Sequence, residues 1–292
     1  MSPLLRTMRP GQWVKNFFVL APLVFAESLL DPRLIARTAI AFVLFCALSS
    51  AVYLLNDLLD RERDRQHPLK RHRPLAAGTL QPATAIAALL LLAGGALAAA
   101  AYLGRPTLVV AVAYLAINLA YSMGLKHVVI LDAMAVSSGY LLRVLVGGYA
   151  AEVPVSTWLL LCTTFLALFL TFSKRRHELT LLRERAAGQR QVLSEYSPEF
   201  LDQLINVVTA SSLLSYALWA VSDETRLRFG GSALLVTLPF VLFGIFRYLY
   251  LIYRTDEARN PTEAMLRDAP FVGNLLLWGL SVLLLLYGPL SP

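Results

Sequence analysis

Nine apolar segments, separated by short polar stretches, follow one another along almost the whole sequence. A membrane-spanning helix needs about 20 residues, so the first and fourth segments are short unless their polar flanks join them. No stretch alternates between apolar and polar residues for long enough to suggest a transmembrane barrel. The pattern therefore predicts an all-α, polytopic membrane protein with nine transmembrane helices. The segments cover approximately residues 17–30, 36–55, 83–103, 107–122, 129–150, 156–173, 203–221, 232–253 and 271–289.

The composition supports an assignment to the membrane. Only 15% of the residues are charged and 57% are apolar, whereas soluble domains carry roughly 25% charged residues. The net charge of +7 does not indicate nucleic acid, because cytoplasmic loops of membrane proteins are basic anyway. Cys46 and Cys162 lie inside apolar segments and are expected to be core residues, not a disulfide or a metal pair. No secretory signal is apparent, and one domain over residues 1–292 is expected.

The distribution of Lys and Arg predicts the orientation. Of the 26 basic residues, 19 lie in the N-terminal segment and in the loops expected on the same side, whereas 5 lie at the opposite ends and 2 within segments. Basic residues accumulate in cytoplasmic loops. We therefore expect a plasma (inner) membrane protein whose N-terminus and active cavity face the cytoplasm.

The polar block at residues 56–78 carries the clearest chemistry. Asp57, Asp60 and Asp64 are three and four residues apart, so on a helix they would share one face. Like charges at that spacing repel one another. A bound cation offsets such repulsion, and oxygen ligands favour Mg²⁺ or Mn²⁺. The six Lys and Arg residues of the same block suit phosphate oxygens, and the block therefore predicts a metal–polyphosphate site at a membrane surface.

The motifs of this chain resemble those of the UbiA superfamily of intramembrane prenyltransferases, over essentially the whole length. The specific part is the NDxxDxxxD block that begins at Asn56, followed by Arg73-Pro74-Leu75 and Gly78. Other motifs resemble the superfamily's decaprenyl-phosphate phosphoribosyltransferase branch. These motifs are RPxQWxKN at residues 9–16, DRxHPxKR at 64–71, LK at 125–126, KRxxE at 174–178 and NPTE at 260–263.

The resemblance implies the substrates and the reaction. The donor would be phosphoribosyl pyrophosphate and the acceptor a polyprenyl (decaprenyl) phosphate, and the product would be a precursor of cell-wall arabinan. Superfamily members that ionise a prenyl diphosphate carry a second acidic motif after the sixth segment. Here that place reads KRRHE at residues 174–178, and a mostly basic bank suits a phosphate better than a second Mg²⁺.

The resemblance also implies roles for individual residues. Asn56, Asp57, Asp60 and Asp64 would hold Mg²⁺, or Mn²⁺ as a substitute, on the pyrophosphate of the donor. Lys126 would contact a phosphate and complete the catalytic set. The alternatives are a solvated helix end for the acidic residues and a lysine that reaches the interface for Lys126.

The remaining candidates are expected to bind substrate, each with a structural alternative. Arg143 lies well inside the fifth segment, where a charge costs roughly 2.5 kcal/mol or more, so a carboxylate or phosphate partner is expected, or a purely structural ion pair. Glu178 follows Lys174 by four residues, which also fits a helical salt bridge. Tyr121 suits an interface and Asp132 a helix cap. The full set is Lys15, Asn16, Asn56, Arg73, Tyr121, Asp132, Arg143, Lys174, Arg175 and Glu178.

Two other functions stay open at this stage. One is a prenyl-diphosphate transferase that acts on an aromatic or quinone-precursor acceptor. The other is a membrane transporter or lipid-binding protein without chemistry, although transporters tend to show internal repeats and midplane charges, and no half-to-half repeat is apparent here. The expected partners are the two substrates and the bilayer, without nucleic acid, and a homo-oligomer is compatible with the sequence.

Overall fold

The computed structural model describes residues 2–68, 70–183, 195–228, 233–254, 265 and 267–288. Within these ranges the regular structure is entirely helical. The α-helices are α1 (Pro3–Met8), α2 (Ala21–Phe25), α3 (Pro32–Leu59), α4 (Arg61–Gln66), α5 (Pro82–Leu103), α6 (Arg105–Met123), α7 (Leu131–Ala150), α8 (Thr157–Arg183), α9 (Pro198–Val221), α10 (Asp223–Arg228), α11 (Leu238–Arg254) and α12 (Ala269–Tyr287). In the same described ranges, 3₁₀ helices cover Pro10–Leu20, Lys70–His72, Leu125–His127 and Ala233–Thr237.

The prediction of an all-α, multi-pass membrane protein is confirmed in its fold class, but the number of spans differs. Seven helices in the described ranges are long and apolar enough to cross a membrane. The first predicted segment, 17–30, is instead the end of a 3₁₀ helix followed by the five-residue α2. The fifth exists as α7, but its polar residues, among them Asp132 and Arg143, keep it outside the seven. The nine transmembrane helices of the prediction are therefore not all present as apolar spans.

The chain divides into two compact units, residues 1–155 and 156–292. In the first unit α3 is the central helix, and it packs against α5, α7 and the 3₁₀ helix Pro10–Leu20. Phe45 and Leu48 of α3 are fully buried in this core together with Val19. Gly147 of α7 lies directly against the Val19 carbonyl, so that a Cβ there would overlap the backbone. This close approach brings the N-terminal segment against α7.

A second, smaller core lies in the same unit, beside the acidic block. Leu75 is fully buried there against Leu54 of α3, Leu80 just before α5 and Ala85 in the first turn of α5. Leu4 and Met8 of α1 pack against the same cluster. The loop that follows α4 is therefore anchored by an apolar side chain two residues after Arg73.

The second unit contains α8 packed against α9, and α11 packed against α12. Side-chain caps begin several of its helices; for example, Ser197 accepts from Phe200 N, and Asp268 accepts from Phe271 N. Asp268 also receives two hydrogen bonds from Arg247, at 3.0 and 2.8 Å. The hydrogen bonds from Arg247 lower the pKa of the Asp268 carboxyl, so it is ionised at neutral pH.

Candidate active site

The acidic block begins inside the last turn of α3. This helix starts after Asp31, whose side chain caps Arg33 N and Leu34 N, and has 28 residues. At 1.5 Å per residue it is about 42 Å long, which exceeds the hydrocarbon thickness of a bilayer. Its apolar body thus leads directly to Asp57, which is 2% exposed, while Asp60 ends the helix as its C-cap residue. Asp64 follows on α4 and is 3% exposed.

Arg73 joins two of the three carboxylates. Its Nη1 lies 3.1 Å from Asp57 Oδ1 and 2.7 Å from Asp64 Oδ2. The loop that carries it is held on α4, because Arg61 Nε donates to Leu75 O and Arg65 Nε donates to Ala76 O, each at 3.3 Å. Because Leu75 is buried against α3, the guanidinium two residues earlier is directed back towards the acidic side chains.

Arg9 approaches Asp57 from the N-terminal segment. Its Nη2 donates to Asp57 Oδ1 at 2.6 Å, and its guanidinium lies over the ring of Tyr53, 4.8 Å from the centroid. Arg9 adopts the left-handed conformation, φ 54° and ψ 62°, between α1 and the first 3₁₀ helix. This conformation costs a non-glycine residue roughly 1 kcal/mol or more. The strained turn places the side chain on a buried carboxylate 48 residues away in sequence.

The third carboxylate has its own cation. Lys126, in the 3₁₀ helix between α6 and α7, places Nζ 3.3 Å from Asp60 Oδ1. Asn56 accepts a hydrogen bond from Ser122 Oγ, near the end of α6. Both contacts connect positions 66 residues apart, so α6 and the loop after it are joined to the acidic end of α3.

The acidic trio does not form a single metal cage. No group of three His, Cys, Asp or Glu side chains that could hold a metal ion occurs in the described part of the chain. Asp57 and Asp64 instead share one cationic nitrogen of Arg73, which marks a point that two carboxylates reach together. Mg²⁺ is usually held by one or two carboxylates plus substrate phosphates. The donor set therefore fits Mg²⁺ carried by a phosphorylated substrate.

A cavity of about 220 Å³ opens beside this cluster. Its lining contains one carboxylate, Asp57, and four side chains that carry or can take a positive charge. Those four are Arg6, Arg9, His72 and Arg73. A pocket with this excess of cations suits an anion with several oxygens, such as a phosphate or a diphosphate.

His67 shapes the loop between α4 and Arg73. Its Nδ1 accepts a hydrogen bond from Lys70 N at 3.3 Å, which requires an unprotonated nitrogen. Desolvation, and then the nearby Lys70 charge, lower the pKa of His67. The imidazole is therefore a neutral element of the turn at physiological pH.

Among the described residues, Arg143 has no carboxylate partner, one of the two kinds of partner that the sequence suggested. Its Nε donates to Asn16 Oδ1 at 2.7 Å and its Nη1 to Gly139 O at 2.7 Å. The rings of Phe45, Tyr114 and Tyr140 surround the guanidinium at 5.3 to 5.8 Å. Within the described residues it forms no ion pair, so the predicted structural ion pair is wrong. Neutral acceptors and aromatic faces compensate its burial instead.

Asn16 belongs to the same network. Its side chain is fully buried and donates to Cys46 Sγ at 3.1 Å. Of the other predicted residues in this unit, Lys15 and Tyr121 are half-buried, and Asp132 is fully buried in the first turn of α7. Ile130, just before α7, has a φ of 69°, and this strain for a β-branched residue borders the turn that contains Lys126.

The basic bank lies on α8, in the second unit. Glu178 pairs with both of its candidate neighbours: Lys174 Nζ lies 3.7 Å from Oε1 and Arg175 Nη1 lies 3.1 Å from Oε2. The predicted helical salt bridge between Lys174 and Glu178 is confirmed. Arg175 is buried, whereas Lys174 is 42% exposed. The predicted motif at residues 260–263 lies outside the described residues.

Two contributors to the cluster were not among the predicted site residues. Arg9 belongs to the RPxQWxKN motif, and its position before a proline in a basic N-terminal segment was the available signal. Ser122 offered none, because a single Ser near a helix end is common. Its role depends on the fold bringing α6 beside Asn56.

The chain is similar to known proteins both in sequence and in fold. The profile of the UbiA prenyltransferase family matches residues 16–275. The decaprenyl-phosphate phosphoribosyltransferase of Mycolicibacterium smegmatis is 39% identical over 228 residues, which cover 77% of this chain and 72% of that protein. The enzyme of the same name from Corynebacterium glutamicum is 35% identical over 288 residues, 97% of this chain and 86% of that protein.

The fold has counterparts among solved structures. A UbiA homolog from Archaeoglobus fulgidus, solved bound to DMAPP and Mg²⁺, superposes with a TM-score of 0.72 and covers 98% of this chain and 99% of that one. The sequence identity is 17%. At that level the likeness concerns the fold, which the two chains share from end to end.

Proposed function

The chain belongs to the UbiA prenyltransferase family, and we propose that it transfers the 5-phosphoribosyl group of phosphoribosyl pyrophosphate to a polyprenyl phosphate and releases pyrophosphate. Decaprenyl phosphate is the proposed acceptor, and synthesis of a cell-wall arabinan precursor is the proposed purpose. Two relatives with the corresponding name, each at least 35% identical, support this choice.

The choice of substrates depends on the mostly basic segment at residues 174–178 of α8, which we call the basic bank. Its one carboxylate, Glu178, pairs with Lys174 and Arg175. A transferase that ionises a prenyl diphosphate would place a second acidic motif here. The one acidic cluster, Asp57, Asp60 and Asp64, suits one diphosphate donor. The basic bank suits a second substrate that carries a phosphate.

For the donor, Asp57 and Asp64, with Asp60 and Asn56, are the proposed ligands of Mg²⁺, with Mn²⁺ as a substitute. When bound, the metal would neutralise charge on the departing pyrophosphate. Arg9, Arg73 and Lys126 provide three cations at the same carboxylates. After leaving those carboxylates they can bind phosphate oxygens and stabilise the charge that develops on the leaving group.

The acceptor needs no strong general base, because a lipid phosphate is already ionised at neutral pH. Lys174 and Arg175 are proposed to contact a substrate phosphate. Lys15, Tyr121 and Asp132 are retained as proposed substrate-binding residues. The chemistry required of the protein is then mainly positioning and electrostatic stabilisation of an oxocarbenium-like ribose.

Asn16 and Arg143 are assigned a positioning role. Their mutual hydrogen bond connects α7 to the 3₁₀ helix that follows Arg9. We further propose one catalytic domain over residues 1–292, a plasma (inner) membrane location, a cytoplasmic N-terminus and a cavity that faces the cytoplasm. The excess of basic residues on that side supports the orientation.

The test is a transfer assay with purified protein, Mg²⁺ and labelled phosphoribosyl pyrophosphate. With decaprenyl phosphate present, the label is expected in the lipid fraction. A parallel reaction contains labelled prenyl diphosphate and 4-hydroxybenzoate as an aromatic acceptor. Label in the second product and none in the first would replace the proposal with a prenyl-diphosphate transferase, and label in neither would favour a membrane protein without this chemistry.

A further inference from the structure

We propose that Arg9 and Arg73 act as exchangeable internal counterions, which make binding of the divalent metal conditional on binding of a diphosphate group. Without substrate the two guanidiniums occupy the carboxylate oxygens that the metal would use. With substrate they transfer to the diphosphate in the neighbouring cavity. This inference rests on the proposed function only insofar as the donor carries a diphosphate.

The charges of the cluster balance one another. Asp57 Oδ1 accepts from both arginines, and Asp64 Oδ2 accepts from Arg73. Lys126 pairs with Asp60. Three carboxylates thus face three cations, and the cluster is neutral as it stands. A divalent ion added alone would compete with cations that are already bound, so its affinity is low.

The two arginines have a place to which they can move. Arg9 and Arg73 line the 220 Å³ cavity together with Arg6 and His72. Their side chains are 32% and 29% exposed, whereas Asp57 is 2% exposed. The guanidiniums therefore already reach solvent on the cavity side and can turn towards an anion there, while the carboxylate stays buried.

The charge balance and the cavity together couple the metal to the diphosphate. A metal without an anion would displace two guanidiniums from Asp57 and leave them without a counterion beside a buried carboxylate. A diphosphate with its metal replaces each lost contact by a charge-assisted hydrogen bond to phosphate. Metal and diphosphate should therefore each raise the affinity of the other by the same factor, as linkage requires.

The experiment measures metal binding and requires no turnover. Purified protein in detergent is dialysed to equilibrium against Mn²⁺. Sodium pyrophosphate is either absent or present at equal concentration on both sides of the dialysis membrane, and the bound manganese is measured by atomic absorption. In the wild type we expect pyrophosphate to raise Mn²⁺ affinity by about 5–150-fold, the usual range of coupling between two ligands. Equal Mn²⁺ affinity with and without pyrophosphate would overturn the proposal.

The variant Arg9→Met separates this role from simple substrate binding. Loss of the counterion should raise the affinity for Mn²⁺ alone, by about fivefold or more, and should reduce the gain from pyrophosphate. An arginine that only bound substrate would leave the affinity for Mn²⁺ alone unchanged, and that result, or a lower affinity, would overturn the inference. Arg73→Met is measured in parallel and carries the same test if Arg9→Met does not fold.

The matched control is Arg33→Met. Arg33 lies at the opposite end of α3, is 70% exposed and pairs with the half-exposed Glu152. The Arg33→Met variant should bind Mn²⁺ and pyrophosphate as the wild type does. Because neither ribose nor lipid is present, intact coupling with a failed transfer assay would refute the proposed function and leave this inference standing. Successful transfer without coupling between Mn²⁺ and pyrophosphate would refute this inference and leave the proposed function standing.

Discussion

Leu75→Ala tests whether apolar packing positions the arginine that joins two carboxylates. Leu75 is fully buried between α3 and α5, two residues after Arg73. Truncation of a buried leucine to alanine lowers the free energy of unfolding by about 2–5 kcal/mol. The favourable transfer of the removed methyl groups out of water is lost, and a cavity remains. A central value of about 3 kcal/mol corresponds to a fall of about 6–12 °C in the thermal midpoint of a protein somewhat smaller than this one.

The same substitution should reduce activity more than its effect on stability alone would. The Arg73 guanidinium contacts Asp57 and Asp64 at 3.1 and 2.7 Å, and misplacement of a catalytic group by about 1 Å can cost 10²-fold in rate. At a temperature where the variant is still folded, we expect kcat/KM for transfer to fall by about 10–100-fold. The matched control is Leu91→Ala on α5, since this leucine is 76% exposed and contributes little packing.

The assays are thermal unfolding in detergent and transfer of labelled phosphoribose, each on both variants. If Leu75→Ala unfolded at the same temperature as Leu91→Ala, the assigned packing would be wrong. If it lost stability but kept full kcat/KM, Leu75 would support the fold without positioning Arg73.

Three further predictions concern other parts of the chain. Asp57→Asn should lower transfer by at least about 10³-fold, because a proposed ligand of the metal loses its charge; full activity in the transfer assay would refute the metal site. Gly147→Ala should lower the thermal midpoint and the yield of folded protein, since its methyl group would overlap the Val19 carbonyl; an unchanged midpoint would contradict that close approach. Asp268→Asn tests a pH dependence. The pKa of Asp268 is lowered by Arg247 in the folded state, so the wild type should be more stable by a few °C at pH 7. The difference should begin to shrink as pH falls below the ordinary aspartate pKa of about 3.9, and it should vanish once pH is below the lowered pKa of the folded state. A difference that persists there would show that the charge is not responsible.

The spans were predictable because a bilayer selects apolar helices of a fixed length, and hydropathy measures that property directly. Seven of the nine predicted segments correspond to helices of this kind. The first segment was mispredicted because its hydropathy resembles that of a span, although the chain forms a 3₁₀ helix and a short α-helix there. Hydropathy records the solvent that a segment prefers, and it does not record how the backbone is bent by packing.

Arg143 shows the opposite kind of error. A charge inside an apolar segment correctly indicated a buried residue whose charge is compensated by specific contacts. Of the two expected partners, a carboxylate or a phosphate, the carboxylate is absent among the described residues, where three aromatic rings and the Asn16 side chain compensate the guanidinium. Asn16 lies 127 residues away in sequence, and no local pattern could have paired the two.

By itself, the sequence determined the helical class, the approximate spans, and the position of the acidic block at the polar end of an apolar segment, because these depend on hydropathy along the chain. It did not show that α3 ends before Asp60 and that Asp64 lies on the separate helix α4. Only the tertiary structure decided which cation neutralises which carboxylate. Arg9 and Asp57 are 48 residues apart, and Lys126 and Asp60 are 66 apart. Coulombic and hydrogen-bond energies depend on distance in space, and the packing of α1, α6 and the Leu75 loop on α3 sets that distance.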